Sequence, residues 1–383
     1  MLKTEFYSNQ TVAFDPIPSL ISCDWNFPGQ RNGEGLYNLH PYPAKFISQI
    51  PKTLIKTFNL PKDTAILDPF CGYGTTLIAA QSLGYSSIGV DLNPIACLIA
   101  RVSTQDCSQN IVDSATRCIQ KAKATEGLTS IPYIPNLDHW FKKPIQIAVF
   151  GLITAINEIE EENLRDALRL ALSSILVRVS NQDSDTRYAA VNKPVEKDDV
   201  YSIFSRVCRQ YMQVLHSSQE AYPNAFVINK NILEVTPSDI PRKVGLVISS
   251  PPYPAAYEYW LYHKYRMWWL GFDPLSVKEH EIGARSHFFK KDHHTPKDFE
   301  NQMRKVFKLL SKICTPNSYA CFVVGNSKIH GEIIDNTELL ISAAEQENFE
   351  LRTILPRNIP SNRKSFNLSN SRILTENIIV LQK

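Results

Sequence analysis

The 383-residue sequence lacks several patterns that mark whole classes of protein. It has no run of eighteen apolar residues, so we expect no membrane span. Its eight cysteines are scattered and form no C-x-x-C pair, which argues against a zinc site or a disulfide framework. No signal-peptide core follows Met1. Together these absences predict a cytoplasmic protein with reduced thiols and no bound metal.

The segment Ala65–Thr76 predicts a strand, a tight glycine turn and the start of a helix, and Ser87–Asp91 predicts the next strand. This order, ending in a carboxylate, is the plan of an adenosine-cofactor site in a doubly wound sheet. The turn is not G-x-G-x-x-G and no G-K-[ST] follows it, so a phosphate cradle is poorly supported. Asp91 can accept hydrogen bonds from ribose hydroxyls. A cofactor with a ribose and no phosphate therefore fits better.

A second motif, Ser250–Tyr253, follows the apolar run Val244–Ile248. Its two prolines have no N–H to donate, so the strand ends there and the chain turns out into a cleft. A hydroxyl, a diproline carbonyl and an aromatic ring are then presented together. This set can hold a flat heterocycle that carries an exocyclic amine, because the heterocycle stacks on Tyr253 while the amine donates to nearby oxygens.

Three segments, Asn38–Phe46, Asp68–Thr75 and Ser250–Tyr253, resemble motifs of the amino-DNA methyltransferases that use S-adenosylmethionine. The serine that opens the third motif is similar to the cytosine-N4 branch, since adenine-N6 enzymes usually carry Asp or Asn there. The resemblance implies a Rossmann-like class I methyltransferase fold, an α/β fold with a mixed, mostly parallel seven-stranded sheet. It also implies site-specific transfer of a methyl group to the N4 of cytosine in duplex DNA, by base flipping and direct transfer, without a metal.

The same resemblance assigns site residues. The expected catalytic residues are Ser250, Pro251, Pro252 and Tyr253. The expected cofactor contacts are Tyr42, Pro43, Ala44, Lys45, Asp68, Phe70, Cys71, Gly72, Gly74, Thr75, Thr76, Asp91, Leu92, Asn93, Asn231, Ile232 and Ser249. Two assignments stay open. Asp68 either contacts the amino end of the cofactor or only caps the glycine turn, and Asn231 stands where relatives commonly place an acid.

Glycine nearly vanishes between Thr104 and Tyr222, and helical periodicity dominates 108–125, 144–178 and 195–218. We therefore expect an N-terminal arm (1–35), a catalytic domain (36–103 and 223–383) and a large helical insertion (104–222). The insertion is our candidate target-recognition region, helped by a basic C-terminal segment. About 130 residues also follow the tetrad, so the recognition element could lie there instead.

The net charge of +3 is nearly neutral, but a DNA-binding enzyme needs only a basic face. The candidate DNA contacts are Arg187, Arg285, Lys290, Lys291, Arg357, Arg363 and Lys364. A solvated surface is an equally good interpretation of these cations. The partners that we expect are double-stranded DNA and a cognate restriction endonuclease that acts separately, as in restriction–modification systems. The chain would be a monomer or weak dimer in a prokaryotic cytoplasm, associated with the nucleoid.

Other functions remain open from the sequence. Adenine-N6 methylation uses the same scaffold, and related tetrads serve guanine amines in RNA. A hypothesis from a different class of protein is a non-catalytic subunit that binds DNA or the cofactor. Carbon-5 cytosine methylation is disfavoured, because that chemistry needs a Pro-Cys nucleophile and the chain has no Pro-Cys dipeptide.

Overall fold

A computed structural model describes residues 15–29, 35–43, 45, 47–105, 110–124, 131, 133–185, 187–216, 223–255, 258–359 and 375–383. Its helices are α1 (Ile17–Ile21), α2 (Gln49–Phe58), α3 (Thr75–Ser82), α4 (Pro94–Thr104), α5 (Ile111–Ala124), α6 (Leu137–Trp140), α7 (Lys143–Asn157), α8 (Glu162–Val179), α9 (Lys197–His216), α10 (Tyr259–Trp269), α11 (Pro274–His280), α12 (Arg285–Phe288), α13 (Pro296–Ile313) and α14 (Asn336–Glu345). Its strands are β1 (Ala65–Asp68), β2 (Ser86–Asp91), β3 (Gln182–Ser184), β4 (Arg187–Ala190), β5 (Ala225–Asn229), β6 (Val244–Ser249), β7 (Cys314–Gly325), β8 (Ser327–Ile329), β9 (Glu332–Ile334), β10 (Glu350–Asn358) and β11 (Thr375–Gln382). Of these described helices, none combines the length and the apolar character that a membrane crossing requires.

Seven strands form one sheet in the order β10-β11-β7-β6-β1-β2-β5. The five strands from β7 to β5 pair in parallel, and β11 pairs antiparallel with both β7 and β10. The mixed, mostly parallel, Rossmann-like sheet predicted from the sequence is confirmed. Strand order reverses between β1 and β6, where open α/β sheets form ligand clefts. Asp68, Asp91, Asn229 and Ser249 therefore end their strands at one edge of the sheet.

Helices cover both faces of the sheet, which explains why the central strands are continuously apolar. Neighbouring residues of β1 point to opposite faces, as strand geometry requires. Ile66 packs in a cluster with Leu54 of α2, and Leu67 packs in another with Phe307 of α13. These two layers fix the sheet rigidly behind the edge where the four polar residues lie.

The predicted helical insertion contains α5 to α9 and a short β3–β4 hairpin. The pattern at 144–178 is divided into α7 and α8, and the residues after Ser180 form the β3–β4 hairpin. The insertion shares one buried core with Ile99 of α4 and Tyr265 of α10. Its boundaries as a domain therefore remain a prediction, because its core is continuous with that of the catalytic part.

The described part of the predicted N-terminal arm, residues 15–29, is packed into the structure. Trp25 is 3% exposed and its indole nitrogen donates to the Leu20 carbonyl at 2.9 Å. Both residues belong to the apolar cluster on the α2 face of the sheet. These aromatic and aliphatic side chains gain more from burial than an extended arm would offer them.

Candidate active site

A cleft opens at the edge of the sheet where β1, β2, β5 and β6 end. Most of the sequence-predicted site residues line it together: Tyr42, Lys45, Phe70, Cys71, Gly72, Thr75, Asp91, Leu92, Asn93, Asn231, Ile232, Ser250 and Pro252. Further lining residues were not predicted: Pro69, Tyr73, Lys230, Tyr259, Val277, His280, Glu281 and Ile282. The three motifs, far apart in the sequence, therefore form one site.

Asp91 organises the glycine turn. Its carboxylate oxygens accept the N–H groups of Gly72 and Asn93, each at 2.8 Å. Gly72 has a φ of +48°, and a Cβ added there would lie 3.1 Å from the Tyr42 hydroxyl. Burial raises the pKa of Asp91 to about 6. Each carboxylate oxygen has a second lone pair, so Asp91 retains capacity to accept ribose hydroxyls.

Gly74, Pro43 and Thr76 do not line the cleft. Gly74 has a φ of +87°, and a Cβ there would lie 3.0 Å from the Ala100 Cβ. This position thus needs glycine both for its conformation and for the approach of α4. The Thr76 hydroxyl donates to the Ile248 carbonyl at 3.3 Å and ties α3 to β6. Ala44 lies outside the described residues.

Asp68 and Ser249 lie behind the cleft rather than in its wall. Asp68 is 1% exposed, and one carboxylate oxygen accepts the Phe70 N–H at 3.1 Å and the Ser249 hydroxyl at 2.6 Å. Burial raises the pKa of Asp68 to about 6. Of the two interpretations of Asp68, these contacts support the cap on the glycine turn. Ser249 ties β6 to that cap and reaches the cleft only through it.

The tetrad is held from two sides. On the β7 side, the Ser250 and Tyr253 hydroxyls both donate to the Val323 carbonyl, at 3.2 and 3.3 Å, and Tyr253 also approaches Glu376 at 3.4 Å. On the other side, the Gly283 carbonyl accepts the N–H of Ala255 at 2.9 Å. Ser250 and Pro252 line the cleft, while Pro251 is buried and the half-buried Tyr253 ring packs on the sheet cluster.

Glu281 is the main site residue that sequence analysis missed. It is 8% exposed, and its two carboxylate oxygens accept the N–H groups of Tyr259 at 2.7 Å and Trp260 at 3.2 Å, at the start of α10. Burial raises the pKa of Glu281 to about 8. The Tyr259 ring stacks on Tyr42 across the cleft wall, with centroids 5.9 Å apart. No motif surrounds Glu281, so no sequence signal could have found it.

Some of the candidate DNA contacts are exposed in the structure, and others lie outside the described residues. Arg285, Lys290 and Lys291 are exposed on the segment that follows the cleft residues Glu281 and Ile282. Arg187 is exposed on β4. Arg363 and Lys364 lie outside the described residues.

The prediction that Arg357 contacts a phosphate is wrong. Its side chain is 5% exposed, paired with Glu376, and donates to the Trp25 carbonyl at 3.2 Å. A buried, paired guanidinium cannot also reach a phosphate. The sequence does not reveal this pairing, because Arg357 lies in a basic segment while its partners come from β11 and from the N-terminal residues.

The sheet order and the switch-point cleft define a Rossmann-like class I methyltransferase fold. A family model for DNA methylases (N6_N4_Mtase) matches residues 13–101. The Type II methyltransferase M.MvaI of Kocuria varians is 21% identical over 252 residues, covering 59% of this chain and 55% of the relative. M.BsoBI of Geobacillus stearothermophilus is 23% identical over 284 residues, covering 65% and 55%. M.MjaII of Methanocaldococcus jannaschii is 44% identical over 71 residues, covering 18% and 13%.

These findings support a relationship between this chain and the amino-DNA methyltransferase family. The matches span about half the length of M.MvaI and M.BsoBI. The similarity therefore rests on a shared segment of the chain and not on the whole length of either relative.

Proposed function

We propose that the chain is a site-specific DNA methyltransferase that transfers a methyl group from S-adenosylmethionine to the exocyclic N4 of cytosine in duplex DNA. One observation carries the proposal: Ser250 and Pro252 line the same cleft as Asp91 and the glycine turn. A base amine presented at the tetrad would thus meet a donor bound at the turn. The serine at the head of the tetrad supports cytosine as the base.

The donor set of the cleft fits S-adenosylmethionine. The Asp91 carboxylate suits ribose hydroxyls, and the Asn231 side chain can meet the adenine edge. Gly72 leaves open the space that a side chain would fill beside Tyr42. The two lysines of the lining, Lys45 and Lys230, do not form a phosphate cradle, because Lys230 is paired with Asp239 at 2.9 Å. When bound, the cofactor supplies a methyl group that is activated by its positive sulfur.

The direction of its existing hydrogen bond leaves the Ser250 oxygen able to accept a hydrogen bond from the base amine rather than to donate one. Its proton is directed to the Val323 carbonyl, so its oxygen is left with lone pairs. With the Pro251 carbonyl, it would accept the two amine hydrogens and aim the nitrogen lone pair toward the methyl group. Alignment of this kind can supply most of the rate enhancement. Serine is a weak base, so the amine proton would leave to solvent.

The target amine lies inside the duplex, so the base must be flipped out at a cost of a few kcal/mol. The Tyr253 ring would stack on the flipped base, with its hydroxyl fixed by Val323 and Glu376. The exposed cations Arg285, Lys290 and Lys291 would contact phosphates beside the cleft. The helical insertion would read the target sequence, with Arg187 at its hairpin, and a cognate endonuclease would act separately on the same sequence.

The decisive experiment is transfer of a tritiated methyl group to DNA, followed by digestion to nucleosides. We expect N4-methylcytosine. Recovery of N6-methyladenine alone would refute the base assignment but keep the reaction class. Transfer to RNA and not to DNA would refute the substrate.

A binding-only subunit is tested with the same assay. Tyr253→Ala should abolish most transfer but leave donor binding, whereas Tyr133→Ala, at a ring that is 87% exposed, should alter neither. A wild-type protein that binds the donor and transfers methyl to no DNA containing its target would refute catalysis.

A further inference from the structure

Two carboxyl groups face the cleft without a counter-charge. Asp91 and Glu281 both line it and are both desolvated. Within the described ranges, no ion pair involves either residue. Buried carboxylates are ordinarily paired, because desolvation of an isolated charge is costly. A cleft with two of them is therefore a site suited to a cation.

The lysines that line the cleft do not fill this need. The Lys45 ammonium donates to the Tyr37 carbonyl at 2.6 Å and lies 4.2 Å from the centre of the Tyr73 ring. The Lys230 ammonium is paired with Asp239. Both are directed to partners other than the two carboxyls. The cleft therefore retains an excess of negative groups once Asp91 and Glu281 are ionised.

The charged side chains that act on the Glu281 carboxyl are themselves acidic. Asp91 at the end of β2 and Glu258 before α10 both raise the pKa of Glu281, after burial itself. The Tyr42 phenol also faces it, and the neighbouring His280 ring is directed to the Ser276 carbonyl at 2.9 Å. The two N–H groups of α10 act the other way and lower that pKa, because they donate to the carboxylate.

The position of Glu281 connects the cofactor turn with the tetrad. It interacts with Asp91 across the cleft, and Gly283, two residues further on, abuts the Tyr253 backbone. Its oxygens are oriented by α10 and keep a second lone pair each. Glu281 thus lines the same cleft as the acid expected to bind the ribose and the tetrad expected to hold the methyl acceptor. The sulfur of the donor is positive before transfer and neutral after it.

We propose that Glu281 is a binding residue for the cationic methyl donor and makes the cleft prefer S-adenosylmethionine to the product S-adenosylhomocysteine. This inference rests on the proposed function. A carboxylate at low dielectric attracts the sulfonium charge strongly. After transfer the sulfur carries no charge, and the attraction is lost. Glu281 thus favours both donor binding and product release.

The test compares the affinities of donor and product by calorimetry at pH 8 for wild type, Glu281→Gln and the matched control Glu279→Gln. The glutamine oxygen still accepts an N–H of α10, so the substitution removes the charge and keeps a helix contact. We expect the ratio of donor affinity to product affinity to fall roughly tenfold in Glu281→Gln. Glu279 is exposed on α11 and does not line the cleft, so its variant should keep the wild-type ratio.

Proton release gives a second readout that a merely structural role would not change. With a pKa of about 8, Glu281 is mostly protonated in the free protein at pH 7. A bound cation lowers that pKa, so donor binding should release more protons from wild type than from Glu281→Gln. The release is measured from binding enthalpies in two buffers of different ionisation enthalpy. The product should show a smaller difference between the two proteins.

The outcomes separate this inference from the proposed function. Wild type that binds neither ligand would overturn both. Wild type that prefers the donor, with the same ratio and the same proton release in Glu281→Gln, would overturn the inference alone. Equal loss of both ligands in the variant would assign Glu281 a structural role and also overturn it. If the variant does not fold, the wild-type ratio decides: it should rise from pH 6.5 to 8.5, and a flat ratio would refute the inference.

Discussion

Three acidic residues of the site share one physical property: each carboxyl group is buried and forms no ion pair with a cationic side chain among the described residues. Asp68, Asp91 and Glu281 all have raised pKa values because of burial. Asp91 could be predicted from the sequence, because it ends a strand about 20 residues after a glycine turn. Glu281 could not, because its role depends on the end of α11 meeting the start of α10. Distant packing of that kind leaves no local pattern.

The raised pKa of Glu281 predicts a pH-dependent stability. The pKa rises from 4.5 to about 8 on folding, so the folded protein binds more protons between those values and loses stability as pH rises through them. Glu281→Gln removes this loss. The free energy of unfolding of the variant, relative to wild type, should therefore increase from pH 5 to pH 8 by on the order of a few kcal/mol. Denaturant titrations at several pH values measure it.

Glu279→Gln is the control for this prediction, since it makes the same substitution at an exposed acid of α11. Its effect should be independent of pH. Asp68 and Asp91 also titrate, but they do so in both proteins and their contributions cancel. A variant-minus-wild-type difference that stays constant from pH 5 to pH 8 would contradict the burial of an ionisable Glu281.

Two substitutions at Tyr253 distinguish the contribution of its ring from that of its hydroxyl. Tyr253→Ala removes a stacking surface worth about 1–3 kcal/mol, so methyl transfer in single-turnover assays should fall roughly ten- to hundredfold. Tyr253→Phe keeps the ring. Val323 still accepts from Ser250 in that variant, and Glu376 stays paired with Arg357, so the loss should be well below tenfold. Equal losses in the two variants would show that the hydroxyl, not the ring, matters.

At the scale of elements, most of the sheet was predictable. The buried strands β1, β2 and β6 are apolar runs that end at a polar residue or at prolines, which is a local signal. The division between α7 and α8 and the β3–β4 hairpin were not predicted, because a short break in a helical pattern and a polar run have several local solutions. The packing of residues 281–283 against the backbone of Tyr253 and Ala255, which we call the clamp, was also not predicted. It joins segments about 30 residues apart.

That clamp predicts a selective effect of Gly283→Ala. Gly283 has a φ of +74°, and a Cβ there would lie 2.8 Å from the Tyr253 carbonyl oxygen. Backbone cannot yield as a flexible side chain does, so the tetrad must move. We expect methyl transfer to fall at least tenfold, because misplacement of about 1 Å is costly in catalysis. Donor affinity should change less than about threefold, since Asp91 and the glycine turn are untouched.

Gly271→Ala is a matched control for this substitution. Gly271 has a similar φ of +82°, but an added Cβ there would meet no atom within 4 Å. Both variants therefore carry comparable backbone strain, on the order of 1–3 kcal/mol. Only Gly283→Ala adds the clash. Similar transfer rates in the two variants would show that the clamp does not position the tetrad.

At the scale of the whole molecule, the architecture was predictable but its cohesion was not. The long gap in glycine content indicated a helical insertion between β2 and β5. It gave no hint that α4 and α10 share the insertion's core, because composition does not report which faces meet. Two ion pairs cross the same boundary: Arg101 of α4 with Asp166 of α8, at 2.8 Å, and Arg266 of α10 with Asp185 of the hairpin.

This continuity predicts that insertion and sheet unfold in one transition. Arg266 is 1% exposed, so Asp185→Ala would leave a buried cation unpaired and cost about 3–5 kcal/mol. The midpoint of the unfolding transition should drop for the whole protein. The transitions followed by far-ultraviolet circular dichroism and by tryptophan fluorescence should still coincide. Glu158→Ala breaks an exposed pair inside the insertion and should leave the midpoint nearly unchanged. An early separate transition in Asp185→Ala would instead make the insertion an independent domain. The donor cleft, whose wall includes Tyr259 of α10, would then keep its affinity while the insertion melts.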